Sequence, residues 1–188
     1  MKNGILNDKE IKELVEKENM IKPFVDHQVE EDTISYGLGS TGYDIRIGNK
    51  FDIFTNINNN EIDPKNFDKN SLVRKEVENY ILIPPQSYVL GHAVEKLNMP
   101  NNIMGKVVGK STYARAGVDV TITPVEVAWR GYLTLEISND SDLPARVYAN
   151  EGIAQVIFFR CNKPNITYNE KIGKYQDQGK DIQPAKVV

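Results

Sequence analysis

Between Tyr80 and Phe159 the chain is a succession of short runs of alternating apolar residues broken by turn residues, and this succession restricts the fold more than any other feature. The runs are Ile81 to Ile83 ahead of Pro84-Pro85, Tyr88 to Val94, Met104 to Val108, Val118 to Thr123, Tyr132 to Asn139, Ala145 to Tyr148 and Ile153 to Phe159. Side chains on a strand alternate between faces, so these runs predict strands, and their close spacing predicts a mainly β sandwich or barrel-like core rather than β-α-β units. The helical interruption is Ser111 to Ala116, read as about two turns. Upstream, Asn7-Asp8-Lys9-Glu10 opens with an N-cap residue followed by a glutamate at the capping-box position, and Ile11, Leu14 and Val15 share a helical face. A short amphipathic helix ended by Pro23 is expected. The segment Ser35 to Gly48 reads as a flexible glycine-bearing loop entering a strand at Tyr43 to Ile47, and Thr55 to Ser71, rich in Asn and Asp, as a surface excursion with no assigned chemistry. After Cys161 apolar density falls, so residues 162–188 form a tail that either frays or folds over something.

The 188 residues exceed the ~150-residue domain prior by too little to suggest two domains, so one domain over residues 1–188 is expected. The 23 Lys and Arg against 26 Asp and Glu leave a net charge of −3, which gives no support to nucleic-acid binding. With one cysteine, Cys161, and two histidines, His27 and His92, there is no disulfide framework and no Cys-x-x-Cys or His-x-Glu pattern for a zinc site. Hydrolytic chemistry then falls to carboxylates, hydroxyls and positive charges. No apolar h-region opens the chain and no run approaches the ~18 apolar residues of a bilayer span, so a soluble cytoplasmic protein without a membrane partner is expected.

In Tyr132-Leu133-Thr134-Leu135-Glu136-Ile137-Ser138 the period of two puts Leu133, Leu135 and Ile137 on one face and Thr134, Glu136 and Ser138 on the other. Glu136 is then either a solvated glutamate on an open sheet face or a general base held in a cleft by a rigid strand. Gly109-Lys110-Ser111-Thr112-Tyr113-Ala114-Arg115 follows a strand and opens the short helix. Glycine, a helix start, a lysine and two hydroxyls compose a phosphate-binding corner. The alternative is a capped helix start with Ser111 or Thr112 as the cap. A P-loop is excluded by spacing, because Gly105 and Gly109 enclose three residues where that motif needs four. Ser111 and Arg115 share a helix face, and together with Glu136 they could position a water if the fold brings them together.

The stretch Gly109 to Asn139, GKSTYARAGVDVTITPVEVAWRGYLTLEISN, resembles the core of the dCTP deaminases, members of the dUTPase-like trimeric superfamily. The likeness extends to Tyr36-Gly37 through Gly48 and Phe51, to Pro144-Ala145 through Gln155, and to Gly173-Lys174-Tyr175-Gln176-Asp177-Gln178 in the tail. It implies a dUTPase-like double β-sheet, a distorted jelly roll or barrel with short helices, that forms a homotrimer with active sites at subunit interfaces and a tail closing over nucleotide. It further implies deamination of dCTP to dUTP, with Glu136 of the Thr134-Leu135-Glu136 motif as general base, Ser111 on the water or leaving amine, and Arg115 orienting the carboxylate. The triphosphate falls to Lys110, Ser111, Thr112, Tyr113, Ala114 and Arg115, to Gln155, and to Tyr168, Lys174 and Gln178, with Mg²⁺ bridging phosphate oxygens and no protein-bound zinc. Gln155, alternating with Ile153 and Ile157, is alternatively a satisfied core amide. Backbone near Val120 to Thr123 reads the base edge.

Glu126 stands where plain dUTPases carry their catalytic aspartate, close to Trp129, so both are candidate water or sugar contacts. A bifunctional enzyme releasing dUMP and pyrophosphate is therefore an alternative, as is a silent nucleotide-binding module, and dTTP is an inhibitor in parts of the family. Val127 and Ala128 depart from the proline and glycine usual after the acidic residue, so the turn before Trp129 is expected to differ in backbone geometry.

Overall fold

The computed structural model describes residues 3–55, 61–171 and 173–187. In chain order the elements are β1 (Gly4–Ile5), α1 (Asp8–Glu18), β2 (Ile21–Lys22), β3 (Gln28–Val29), β4 (Tyr36–Gly39), β5 (Gly42–Phe54), β6 (Leu72–Glu76), β7 (Tyr80–Ile83), β8 (Ser87–Asn98), β9 (Ile103–Gly109), α2 (Ser111–Ala114), β10 (Val118–Thr121), β11 (Arg130–Asn139), β12 (Ala145–Tyr148) and β13 (Gly152–Arg160). The mainly β expectation holds, and every named strand pair is antiparallel.

β5 is shared between two sheet halves. Its first half pairs with β4 and with β13, which also carries β9 and β1. Its second half pairs with β6 and β8, and β8 continues to β11 and then β10. The switch falls at a register irregularity between Ile47 and Phe51, the kind of break that lets a strand bend from one sheet into another. Tyr43, Ile45, Ile47 and Phe51 of β5 are fully buried together with Leu135 and Ile137 of β11 and Ile153, Val156 and Phe158 of β13, so the two halves close over one apolar core. β7 and β12 form a separate two-stranded sheet.

A buried ion pair ties the halves together. Glu95 of β8 has no exposed surface and accepts from Arg46 twice, from Nε at 2.8 Å and from the backbone amide at 2.9 Å. Burial holds the Glu95 carboxyl above its ordinary range, with the bonds from Arg46 opposing it. The Arg46 guanidinium also lies 4.7 Å from the centre of the Tyr36 ring, a cation–π contact.

Several sequence expectations need correction. The N-terminal helix has its Asn7–Glu10 capping box but ends at Glu18, not at Pro23. Asn19 takes the left-handed cap conformation (φ 53°) and donates to the Val15 carbonyl, which frees Ile21–Lys22 to pair with β8. The supposed loop before Tyr43 is a strand, β4, hairpinned onto β5. α2 is a single turn, because the chain leaves it at Arg115 and reverses through Gly117 at φ 75°. β6 was hidden in the sequence because its residues are mostly exposed; its backbone pairing with β5, not an apolar face, makes it a strand. Part of the Thr55 to Ser71 excursion, residues 56–60, lies outside the described residues. No described helix is long and apolar enough to cross a membrane.

Removing one member of a buried pair leaves the other charge uncompensated. Arg46→Ala is expected to lower unfolding free energy by about 3–5 kcal/mol, read from denaturant midpoints at unchanged slope.

Candidate active site

β11 buries Leu133, Leu135 and Ile137 at 7%, 0% and 0% exposure, which turns Glu136 to the opposite face. That face is a wall of a cavity of about 1240 Å³ rather than open solvent. Across the sheet Glu136 is flanked by Thr121 of β10 and Leu90 of β8. Ile122 and Thr123, from the segment expected to read a base edge, form a second wall together with Pro124 and Val125. Phe54, Phe67 and Tyr88 form a third, with the Phe54 ring 5.1 Å from Tyr88 and 6.0 Å from Phe67.

This apolar setting pushes the Glu136 carboxyl up to about 7 through burial, opposed by a backbone hydrogen bond. Among the described residues no cation holds it down. The Tyr88 hydroxyl is pushed up to about 12, first by burial and then by the charge of Glu136. A glutamate that gains and loses its proton near neutrality is what an acid–base catalyst requires.

Tail residues line one side of the cavity. Gln178 Nε2 donates to Thr134 Oγ1 at 2.7 Å, and the Gln183 backbone amide donates to the same oxygen at 3.2 Å. The indole of Trp129 donates to the Tyr175 carbonyl at 2.9 Å, and the Gln176 amide to the Ala128 carbonyl at 3.2 Å. Arg130 pairs with Asp177. Gly131, at φ 150°, is where the backbones meet: a Cβ there would lie 2.8 Å from both the nitrogen and the oxygen of Gln178, so glycine is required for the tail to dock. Ala128 sits in the left-handed region at φ 61°. The turn before Trp129 thus adopts the geometry glycine favours, with alanine bearing a strain of about 1 kcal/mol.

The predicted site residues divide into two groups. Glu136, Thr134, Glu126, Trp129, Tyr168 and Gln178 line the cavity. The Lys110 to Arg115 corner and Gln155 do not line it, so one chain does not assemble the Ser111, Arg115 and Glu136 trio. Ser111, Thr112, Ala114 and Arg115 are exposed. Lys110 itself holds the N-cap position, without a side-chain cap, which corrects the reading of Ser111 or Thr112 as the cap. Tyr113 is 3% exposed, and its hydroxyl accepts from the Tyr148 amide at 3.0 Å; it braces the helix against β12. The Leu135 side chain belongs to the core, leaving only its backbone for a ligand. Lys174 is exposed and donates to the Lys186 carbonyl, away from the cavity wall. Gln155 is half-buried, on the face opposite Ala154 and Val156, and donates to Asp44 at 3.1 Å.

Sequence reasoning missed Tyr88, Leu90, Phe54, Phe67 and Gln183 of the cavity. The signal available for Phe67 was an isolated aromatic in a polar excursion. Gln183 carried none, since it contributes a backbone amide.

A family model described as dCTP deaminase-like matches residues 5–161. The chain belongs to the dCTP deaminase-like family. Within it, the chain is 50% identical over 176 residues to the dCTP deaminase of Acidobacterium capsulatum, covering 93% of this chain and 95% of that one. It is 51% identical over the same shares to the dCTP deaminase of Herpetosiphon aurantiacus. Among solved structures, that of the 2′-deoxycytidine 5′-triphosphate deaminase from Agrobacterium tumefaciens superposes with a TM-score of 0.62 over 85% of this chain at 17% identity. The chain spans about half, 49%, of that protein's length, and at this identity the likeness concerns the fold.

The raised Glu136 carboxyl predicts a stability effect. Below the ordinary glutamate range both folded and unfolded chains are protonated and no penalty exists. As pH rises from about 4.5 to about 7 the unfolded chain ionises first, so stability falls across that window and stays low above it. Glu136→Gln removes the penalty. Its Tm is expected to exceed wild type by about 3 °C at pH 8 and to match it at pH 4, measured by calorimetry.

Proposed function

We propose that the chain hydrolyses dCTP to dUTP and ammonia, acting on the C4–N bond of the cytosine ring. The observation that carries this reading is the glutamate of the Thr134-Leu135-Glu136 motif, held on a rigid strand in an apolar cavity with its carboxyl pushed up to about 7. As carboxylate, Glu136 accepts a proton from the water that attacks C4. As acid, it returns that proton to N3 and helps deliver a second to the amine, which leaves as ammonia while C4 keeps the oxygen. The cavity walls at Ile122 to Val125 offer backbone groups to the base edge. The tail, docked through Gln178 on Thr134, excludes water from the bound substrate.

The division of site residues within one chain supports a homotrimer in which the Lys110 to Arg115 corner and Gln155 of one subunit meet the Glu136 cavity of another. There Ser111 contacts the water or the leaving amine, Arg115 orients the carboxylate, and Lys110 binds triphosphate. Magnesium is read as entering with the nucleotide, on phosphate oxygens; among the described residues no group of three or more His, Cys, Asp or Glu is placed to hold a metal ion. The cytoplasm, where nucleotide pools reside, is the compartment this reading implies. A second reading, release of dUMP and pyrophosphate, is favoured by Glu126, which lines the same cavity as Glu136.

Incubating the full chain with dCTP and Mg²⁺ and resolving the products is expected to yield ammonia and dUTP; dUMP with pyrophosphate would establish the bifunctional reading. Glu136→Gln should retain dCTP binding and release no ammonia. In wild type, kcat/KM should fall on the acid side as Glu136 takes up its proton, at or below about 7, because a neighbouring subunit's Arg115 favours the carboxylate. For the shared site, mixing inactive Glu136→Gln with inactive Ser111→Ala under subunit exchange should restore activity, because mixed trimers contain sites with both native residues. No recovery despite demonstrated exchange would place each site within one chain.

A further inference from the structure

Asp44 is a carboxylate beside residues read as binding an anion. It lies on β5, 5% exposed, and its two oxygens gather three side-chain donors from separate parts of the chain. Oδ2 accepts from Lys110 Nζ at 2.5 Å and from Gln28 Nε2 at 2.8 Å, and Oδ1 accepts from Gln155 Nε2 at 3.1 Å. Lys110 Nζ also donates to Ser35 Oγ at 2.9 Å. The side chains of Lys110 and Asp44 are 12% and 7% exposed, so this is an enclosed cluster and not a surface ion pair.

The donor count gives the cluster its meaning. An ammonium has three N–H bonds, and Asp44 and Ser35 take two of those of Lys110. A primary amide has two, and Asp44 takes one from Gln155 and one from Gln28. Each of the three side chains is thus left with an N–H to give, and a common acceptor fixes where those hydrogens point. β-sheet pairing holds the frame, since Asp44 lies opposite Gln155 across β5 and β13 and opposite Gly37 across β4 and β5. Left unanchored, a lysine on its flexible four-carbon stem must be ordered by the ligand itself, which weakens binding.

We infer that Asp44 is a positioning residue for triphosphate recognition: it binds no phosphate, but holds Lys110 and Gln155, with Gln28 as a third donor, in the arrangement that does. The inference rests on the reading of Lys110 and Gln155 as phosphate ligands. Its charge opposes that of the ligand, and two effects of removing it have opposite sign. Asparagine relieves repulsion of the phosphates. It also turns an N–H toward at least one of the present donors and leaves the enclosed Lys110 ammonium without its counter-charge, so Lys110 moves. Loss of a hydrogen-bonded partner to an enclosed charge outweighs repulsion from a carboxylate already neutralised by Lys110.

The test is a double-mutant cycle on the full-length enzyme with Asp44→Asn, Lys110→Met and the pair, reading kcat and KM for dCTP with Tm as the folding control. Asp44→Asn is expected to raise KM about ten- to a hundredfold while kcat changes far less, because the phosphates are remote from C4. The same substitution should have little further effect in the Lys110→Met background. Binding of dCMP should suffer much less than binding of dCTP, a contrast that a general loss of structure would not produce. Asp44→Glu, which keeps the charge on a longer stem, should recover part of the KM. Tighter dCTP binding by Asp44→Asn, or an equal loss in the Lys110→Met background, would overturn the inference. A normal KM in Lys110→Met alone would instead overturn the phosphate-ligand reading on which it rests.

Discussion

The burial of Leu133, Leu135 and Ile137 in the core is the constraint on which the rest of the site depends. A strand has no freedom to rotate one side chain independently of its neighbours, so sinking that row into the core commits Thr134 and Glu136 to the other face. A slip of one residue would bury the glutamate and expose three aliphatic side chains, at a cost no hydrogen bond could offset. Pairing with β8 and β10 on both sides makes the position rigid as well as specific. A general base held in this way needs no reorganisation when the reaction begins, which is the usual advantage of placing catalytic groups on regular elements.

The cavity modifies what that rigid carboxylate can do. A glutamate on an open antiparallel face would ionise as in water. Here the walls from Phe54, Tyr88 and the stretch after β10 remove solvent, and burial is the largest cause of the raised Glu136 carboxyl. The adjoining tail is bound mainly by backbone groups: Gln178 at Gly131 and Tyr132, Gln183 at Thr134 Oγ1, and Tyr175 at the Trp129 indole. Contacts of this type depend on close backbone approach, which explains why glycine at 131 and a left-handed turn at Ala128 are both needed in one short stretch. Ala128 holds the positive φ that glycine favours and bears local strain for it.

The enclosed charges show a different economy. Glu95 with Arg46, and Asp44 with Lys110, are each embedded between segments distant in sequence. Neither pair is expected to add much net stability over an apolar substitute. Their value is geometric, because each acceptor is satisfied by donors brought from particular, distant segments. Glu95 fixes Arg46 beneath Tyr36, and Asp44 collects Lys110, Gln155 and Gln28. The second cluster lies apart from the Glu136 cavity in one chain, and that separation is the basis for the subunit arrangement proposed above.

Much of this was legible in the amino-acid order. Alternation marked β8, β11 and β13 and the face on which Glu136 stands, the capping box marked α1, and the run of motifs marked the family. What those signals share is locality: each is carried by residues within a few positions of one another. The end of α1 at Asn19, the strand β6 and the hairpin strand β4 were not legible, because pairing with a distant partner decides them. The same holds for the two-sheet role of β5, the aromatic wall of the cavity, the docking of the tail at Gly131 and the gathering of three donors at Asp44. The sequence by itself determined which residues could carry acid–base and anion chemistry, because side-chain type and strand period are local properties. Only the tertiary structure decided which of them share a cavity, how far solvent is removed from Glu136 and which donors meet at Asp44, because proximity and dielectric environment belong to segments that the chain brings together only on folding.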